Sequence, residues 1–110
     1  MHNFIAKPDE LAGKTILVTG AGDGIGRQAA ISFAAAGATV ILLGKTTKKL
    51  EAVYDEIVAA GAPEPAIVPL DLNGATKQHY TDMANTIKAE FGKLDGVLHN
   101  AGMLGVLTPF

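Results

Sequence analysis

The apolar run Ile16-Leu17-Val18 leads straight into Thr19-Gly20-Ala21-Gly22-Asp23-Gly24-Ile25-Gly26, and a helix-like stretch follows at once. A chain written this way must end a strand, reverse sharply and feed a helix within a few residues. Glycine makes such a turn possible because it adopts positive φ freely and lets another group approach the backbone closely. Main-chain N–H groups gathered at the positive end of a helix are a ready site for a phosphate. Gly20, Gly22, Asp23, Gly24, Ile25 and Gly26 are therefore the first candidate binding residues.

The spacing of the glycines says more than their number. Read as Gly-X-Gly-X-X-Gly from Gly20, the third glycine falls at Ile25, and read from Gly22 it falls at Arg27, so the common dinucleotide fingerprint fails. The P-loop pattern fails too: Gly13-Lys14-Thr15 lies ahead of the strand and lacks its upstream glycine.

Beyond the turn, apolar runs alternate with helical stripes. Thr15 to Thr19, Thr39 to Leu43, Ala66 to Leu70 and Gly96 to His99 read as strands, the first two as continuous β-branched runs buried on both faces. Leu50, Val53, Tyr54, Ile57 and Val58 form one amphipathic stripe, and Tyr80, Met83, Ala84, Ile87 and Phe91 form another that stops at Gly92. The first helix, roughly Ile25 to Ala36, carries only Arg27, Gln28 and Ser32 as polar positions and is expected to be packed on nearly all sides. Ala29 to Gly44 is almost wholly apolar, but it is shorter than the ~20 residues of a membrane helix and Gly37 divides it into a helix and a strand. Right-handed crossovers then place the strands in the order 3-2-1-4. The fold class is α/β, a Rossmann-like doubly wound parallel sheet in one partial domain, with its ligand crevice where the order reverses between strands 1 and 4.

Composition excludes several function classes. Nine basic against eleven acidic residues, with no basic stripe interleaved with aromatics, argue against nucleic acid as a partner. The absence of cysteine excludes disulfides and thiolate chemistry and suits a reducing cytoplasm, while His2, His79 and His99 are too scattered for a metal site. The first ten residues contain no apolar h-region, so a signal peptide is not supported.

The end of strand 2 bears on the ligand. NAD sites end this strand in a carboxylate for the ribose hydroxyls, about 20 residues past the turn, and here Gly44 stands there with Lys45 after it. That pair favours NADP over NAD, with Lys45 facing the 2′-phosphate; Lys48 and Lys49 at the start of the next helix could add to the positive field, and a solvated helix face is the favoured reading for both. Asp71 and Leu72, ending strand 3, are placed to meet an adenine, Asp71 by hydrogen bond and Leu72 by packing; a turn aspartate bonding to its own backbone is the alternative.

Thr19-Gly20, three residues, then Gly24-Ile25-Gly26 resembles the cofactor turn of the short-chain dehydrogenase/reductase family. His99-Asn100-Ala101-Gly102 resembles that family's Asn-Asn-Ala-Gly motif, with His99 in place of the first asparagine. Together with Leu94-Asp95-Gly96-Val97-Leu98, these motifs look most like the bacterial YciK-like oxidoreductases. The resemblance implies that Asn100, Ala101 and Gly102 line the cofactor ribose, that the Asp71-Leu72 pair contacts adenine, and that the relatives are often homo-oligomers. Asp95 reads as a residue that starts strand 4, without a catalytic role.

The resemblance also implies a serine and a Tyr-X-X-X-Lys for hydride transfer between a carbonyl and an alcohol, and this chain carries neither pattern. Val58 follows Tyr54 by four residues and Ala84 follows Tyr80. No catalytic residue is assigned. The tail Met103 to Phe110 is apolar, which reads as a truncation that leaves strand 4 as an open edge and the isolated chain prone to aggregate; the alternative is that the tail pairs with another copy or a second polypeptide. The expectation is the cofactor-binding portion of an NADP-dependent short-chain oxidoreductase, completed by a C-terminal half that would supply the small-molecule substrate site. The alternative is a non-catalytic dinucleotide-binding module or sensor. A methyltransferase on the same sheet is disfavoured by Gly44, where such sites want an acid.

Overall fold

The computed structural model describes residues 10–70, 76–99 and 106–109. The strands β1 (Thr15–Thr19), β2 (Thr39–Gly44), β3 (Ala66–Pro69) and β4 (Gly96–His99) are separated by the helices α1 (Gly24–Ala35), α2 (Thr47–Ala59) and α3 (Lys77–Phe91), and a further strand β5 (Val106–Pro109) follows. All four predicted strands and all three helices are present, in the sheet order β3-β2-β1-β4-β5.

β1 lies at the centre, parallel to β2 on one side and to β4 on the other, with Leu17 opposite both Ile41 and Val97. The period of two along each strand sorts the core into two layers. Ile16, Val18, Val40, Leu42 and Leu98 face α1 and α2, where they meet Ala29, Phe33, Leu50, Val53 and Ile57. Leu17, Ile41, Leu43 and Val97 face the other way, onto Ala84, Ile87 and Leu94. Because β1 has helices on both sides, none of its five residues exceeds 8% exposure. Each fully buried aliphatic side chain of this kind contributes about 1.5–3 kcal/mol.

Helix α1 departs from the expected all-round burial. Gly26, Ala29, Ala30, Phe33 and Ala34 are buried, whereas Gln28 and Ala35 are exposed and Ile25 and Ile31 half-buried. The sheet and α2 cover one side of it, and nothing among the described residues covers the other. Val58 and Phe91, at the rims of their stripes, likewise stay 45% and 41% exposed. Gly92 ends α3 in the left-handed conformation, as the sequence predicts.

The outer edge of β4 is not open. β5 pairs with it antiparallel, Leu98 opposite Leu107 and His99 opposite Val106. An unpaired strand edge leaves backbone donors and acceptors unsatisfied, and the apolar tail supplies them with partners. The connection over residues 100–105 explains the direction. A parallel return needs a crossover of a dozen or more residues, whereas an antiparallel return needs only a short loop. Among the described residues, no helix is long and apolar enough to cross a membrane.

Candidate functional site

Parallel strands that all point one way bring their carboxyl ends to one edge, and a cleft of about 210 Å³ opens there between the ends of β1 and β2. Gly20, Gly22, Asp23, Gly44, Lys45, Thr46, Lys49 and Leu50 line it. Residues from two separate turns thus form one concave surface.

The glycine turn is built as the sequence requires, with Gly20 at φ +62° and Gly24 at φ +54°. Its middle is held by a hydrogen bond from the Ala21 N–H to the Leu43 carbonyl, 3.0 Å long, which fastens the turn to the end of β2. Gly22 serves a different purpose. A Cβ there would lie 2.9 Å from the Cβ of Lys49, so only glycine lets the turn approach α2 this closely.

Both helices that begin at the cleft lack a side-chain cap. Asp23 is the N-cap of α1 and Thr46 the N-cap of α2, and neither side chain accepts a hydrogen bond from its own helix. The first N–H groups of a helix lack the usual intrahelical acceptor; the Lys49 N–H of α2 turns back to the Thr46 carbonyl, and with no side-chain cap each end presents its positive dipole end to the cleft. The Asp23 carboxylate instead accepts a 2.6 Å hydrogen bond from the Lys49 ammonium. Lys45 is exposed and makes no ion pair with any described residue.

Of the sequence-predicted residues, Gly20, Gly22, Asp23 and Lys45 come together on the cleft wall, and Gly24, Ile25 and Gly26 form the first turn of α1 behind it. Asp71, Leu72, Asn100, Ala101 and Gly102 lie outside the described residues. Lys48 and Lys49 are both exposed, in keeping with a solvated helix face, and Lys49 in addition lines the cleft and pairs with Asp23. Thr46 and Leu50 carry no motif that marks them as cleft residues. The signal that finds them is register: they occupy the start of the helix after β2, which faces the glycine turn.

Supporting contacts hold this edge in shape. The buried Thr19 hydroxyl donates to the Leu98 carbonyl at 3.2 Å, joining the last residue of β1 to β4 next to the His99-Asn100 segment. The Leu70 N–H donates to the Gly44 carbonyl at 2.7 Å, and Arg27 pairs with Glu56 to tie α1 to α2. At the opposite edge, the Asp95 carboxylate accepts the Thr15 N–H at 2.7 Å and pairs with Lys93 at 3.3 Å. That backbone hydrogen bond, with Lys93 beside it, holds Asp95 below the usual aspartate range. Asp95 thus fixes the start of β4 against β1, far from the cleft. Tyr54 donates its hydroxyl to Glu64, and that bond raises the phenol above its ordinary range. The bond ties α2 to the segment that leads into β3.

Comparison with known proteins agrees with this architecture. The sequence profile of the family described as short chain dehydrogenase matches residues 14–110. The oxidoreductase YciK of Escherichia coli is 47% identical over 99% of this chain and 43% of its own length. A short-chain dehydrogenase structure from Pseudomonas syringae superposes with a TM-score of 0.78 at 50% identity, covering 96% of this chain and 42% of that one. One from Escherichia coli CFT073, solved in complex with NADPH, gives 0.76 at 46% identity over 90% of this chain and 41% of that one. The chain therefore spans less than half the length of these relatives.

Proposed function

The chain belongs to the short-chain dehydrogenase family, and we propose that its cleft binds NADP(H) as the cofactor-binding portion of an oxidoreductase that interconverts a carbonyl and an alcohol. The observation that carries this reading is the convergence of two helix N-termini without side-chain caps, the glycine turn and Lys45 on one cleft. That donor set fits a dinucleotide with an extra phosphate. The first-turn N–H groups of α1 suit a pyrophosphate, and Lys45 beside Gly44 suits a 2′-phosphate, with no carboxylate at position 44 to repel it. When bound, NADP(H) supplies or accepts the hydride. This chain's residues would bind and orient it: the turn would hold the phosphates, Lys45 would select the phosphorylated ribose, and Asp71, Leu72, Asn100, Ala101 and Gly102 are assigned to the adenine and ribose on their sequence motifs. The relative solved with NADPH supports the choice of cofactor.

We assign no catalytic acid or base to these residues. Tyr54 donates its hydroxyl to Glu64, and in this reading the chain by itself binds the cofactor without turning it over. A soluble protein of the reducing cytoplasm, acting on a small carbonyl or alcohol, is the setting this reading favours. The test is titration of the intact protein with NADPH and NADH, in the wild type and in Lys45→Ala. Wild-type protein should prefer NADPH, and loss of a charge-assisted hydrogen bond should cut that preference about tenfold. Equal affinity for the two cofactors, unchanged by Lys45→Ala, overturns the assignment.

A further inference from the structure

The cleft wall carries two cations and one anion: Lys45, Lys49 and Asp23. Gly44 keeps a carboxylate away from the end of β2, yet Asp23 brings one back from the glycine turn. A dianionic phosphate ester arriving beside Lys45 meets that charge in the same small space. Whether the cleft attracts the phosphate then depends on whether Asp23 is neutralised. Lys49 does this, with its ammonium 2.6 Å from the Asp23 carboxylate.

The geometry holds Lys49 to the task. It sits in the first turn of α2 beside the fully buried Leu50, and its Cβ lies against Gly22, which fixes where its stem leaves the helix. The pair itself is open to water, with side-chain exposures of 53% for Lys49 and 72% for Asp23. An exposed pair of this kind adds little to stability. It does change the net charge of the cleft wall by one unit, in the cleft where a more highly charged anion is sorted from a less charged one.

Resting on the reading that the cleft takes NADP(H), we propose that Lys49 is a specificity residue that acts through Asp23, cancelling the turn's carboxylate so that the 2′-phosphorylated cofactor is preferred over its unphosphorylated counterpart. NADH carries the pyrophosphate charge but lacks the 2′-phosphate, so it gains less from this charge balance than the phosphorylated cofactor does. Lys49 is a positioning and compensating residue here, with Lys45 left to meet the phosphate.

The experiment measures NADPH and NADH affinity of the intact protein by fluorescence titration at low and at physiological salt. Lys49→Met keeps the aliphatic stem over Gly22 and removes the charge. It should weaken NADPH binding about fivefold at low salt and NADH binding less than about twofold, with the NADPH deficit shrinking as salt screens Asp23. Adding Asp23→Asn to Lys49→Met should return NADPH affinity to within about twofold of wild type, and Lys49→Arg should keep the wild-type preference. A double variant as weak as Lys49→Met overturns the proposal, because Lys49 would then touch the phosphate directly. Equal losses for both cofactors overturn it as well, in favour of a purely structural role. Wild-type protein that binds neither cofactor overturns the dinucleotide reading itself, a result plainly different from lost selectivity.

Discussion

Gly22→Ala tests whether the cleft depends on close approach between the glycine turn and α2, as distinct from the turn's unusual backbone angles. The added Cβ would sit 2.9 Å from the Lys49 Cβ, 3.7 Å from its Cδ and 3.8 Å from its carbonyl carbon. Carbon atoms pack best at about 3.5–4.0 Å, so the first contact is too short by ~0.6 Å or more. The Lys49 Cβ is fixed to a helix whose Leu50, Val53 and Ile57 are buried in the core, so α2 has little freedom to withdraw. Overpacking of this kind costs about 1–3 kcal/mol. Gly24→Ala is the control: nothing lies within 4 Å of its Cβ, but φ is +54°, and a left-handed alanine costs about 1–2 kcal/mol. The two losses are similar in size and different in cause, and Lys49→Gly separates them. That substitution removes the atom Gly22→Ala strikes, at a helix-propensity cost near 1 kcal/mol. Double-mutant cycles from urea unfolding of the intact protein should give a coupling of about 1 kcal/mol or more for positions 22 and 49, and below about 0.5 kcal/mol for positions 24 and 49. A Gly22→Ala loss that is the same with and without Lys49→Gly would falsify the close-approach argument.

Leu17→Ala should destabilise the protein by about 2–5 kcal/mol, since Leu17 is fully buried at the centre of the sheet between Ile41 and Val97; a loss under 1 kcal/mol in urea unfolding contradicts the layer assignment. Asp95, held below the ordinary aspartate range by the Thr15 N–H and by Lys93, binds protons less readily folded than unfolded. Its contribution is therefore present above the unfolded aspartate value, near pH ~4, and lost as pH falls through the lower folded value. Asp95→Asn should flatten the acid side of a stability–pH profile while costing less than about 1 kcal/mol at neutral pH, given the group's exposure; an unchanged acid limb refutes the linkage.

The elements were legible in the sequence because each is a local pattern. β1 and β2 are continuous apolar runs, α2 and α3 carry stripes at helical spacing, and Gly92 ends α3 where a left-handed residue is needed. The parallel order around β1 followed from crossover handedness. What was not legible depends on which surfaces are left uncovered after assembly. Ile31 and Ala35 look like core residues by composition, yet they flank an open apolar groove between α1 and the end of α2, because the sheet and α2 cover only part of α1. The pairing of β5 with β4 was missed for a related reason: the tail has a strand's composition, but its direction is set by the short connection and not by its own residues.

The cleft shows the same division more sharply. Its glycines announce themselves, since a turn of that spacing between a strand and a helix has few other uses. Lys49 does not, because Lys48 and Lys49 are adjacent lysines at the head of one helix and nothing local distinguishes them. On an α-helix neighbouring residues point about 100° apart, so the two cannot face the glycine turn in the same way. The register that chooses between them is fixed by Leu50, whose burial against the sheet orients the whole of α2. A hydrophobic contact thus decides which lysine meets Asp23, and the charge of the cleft follows from the packing of the core beneath it.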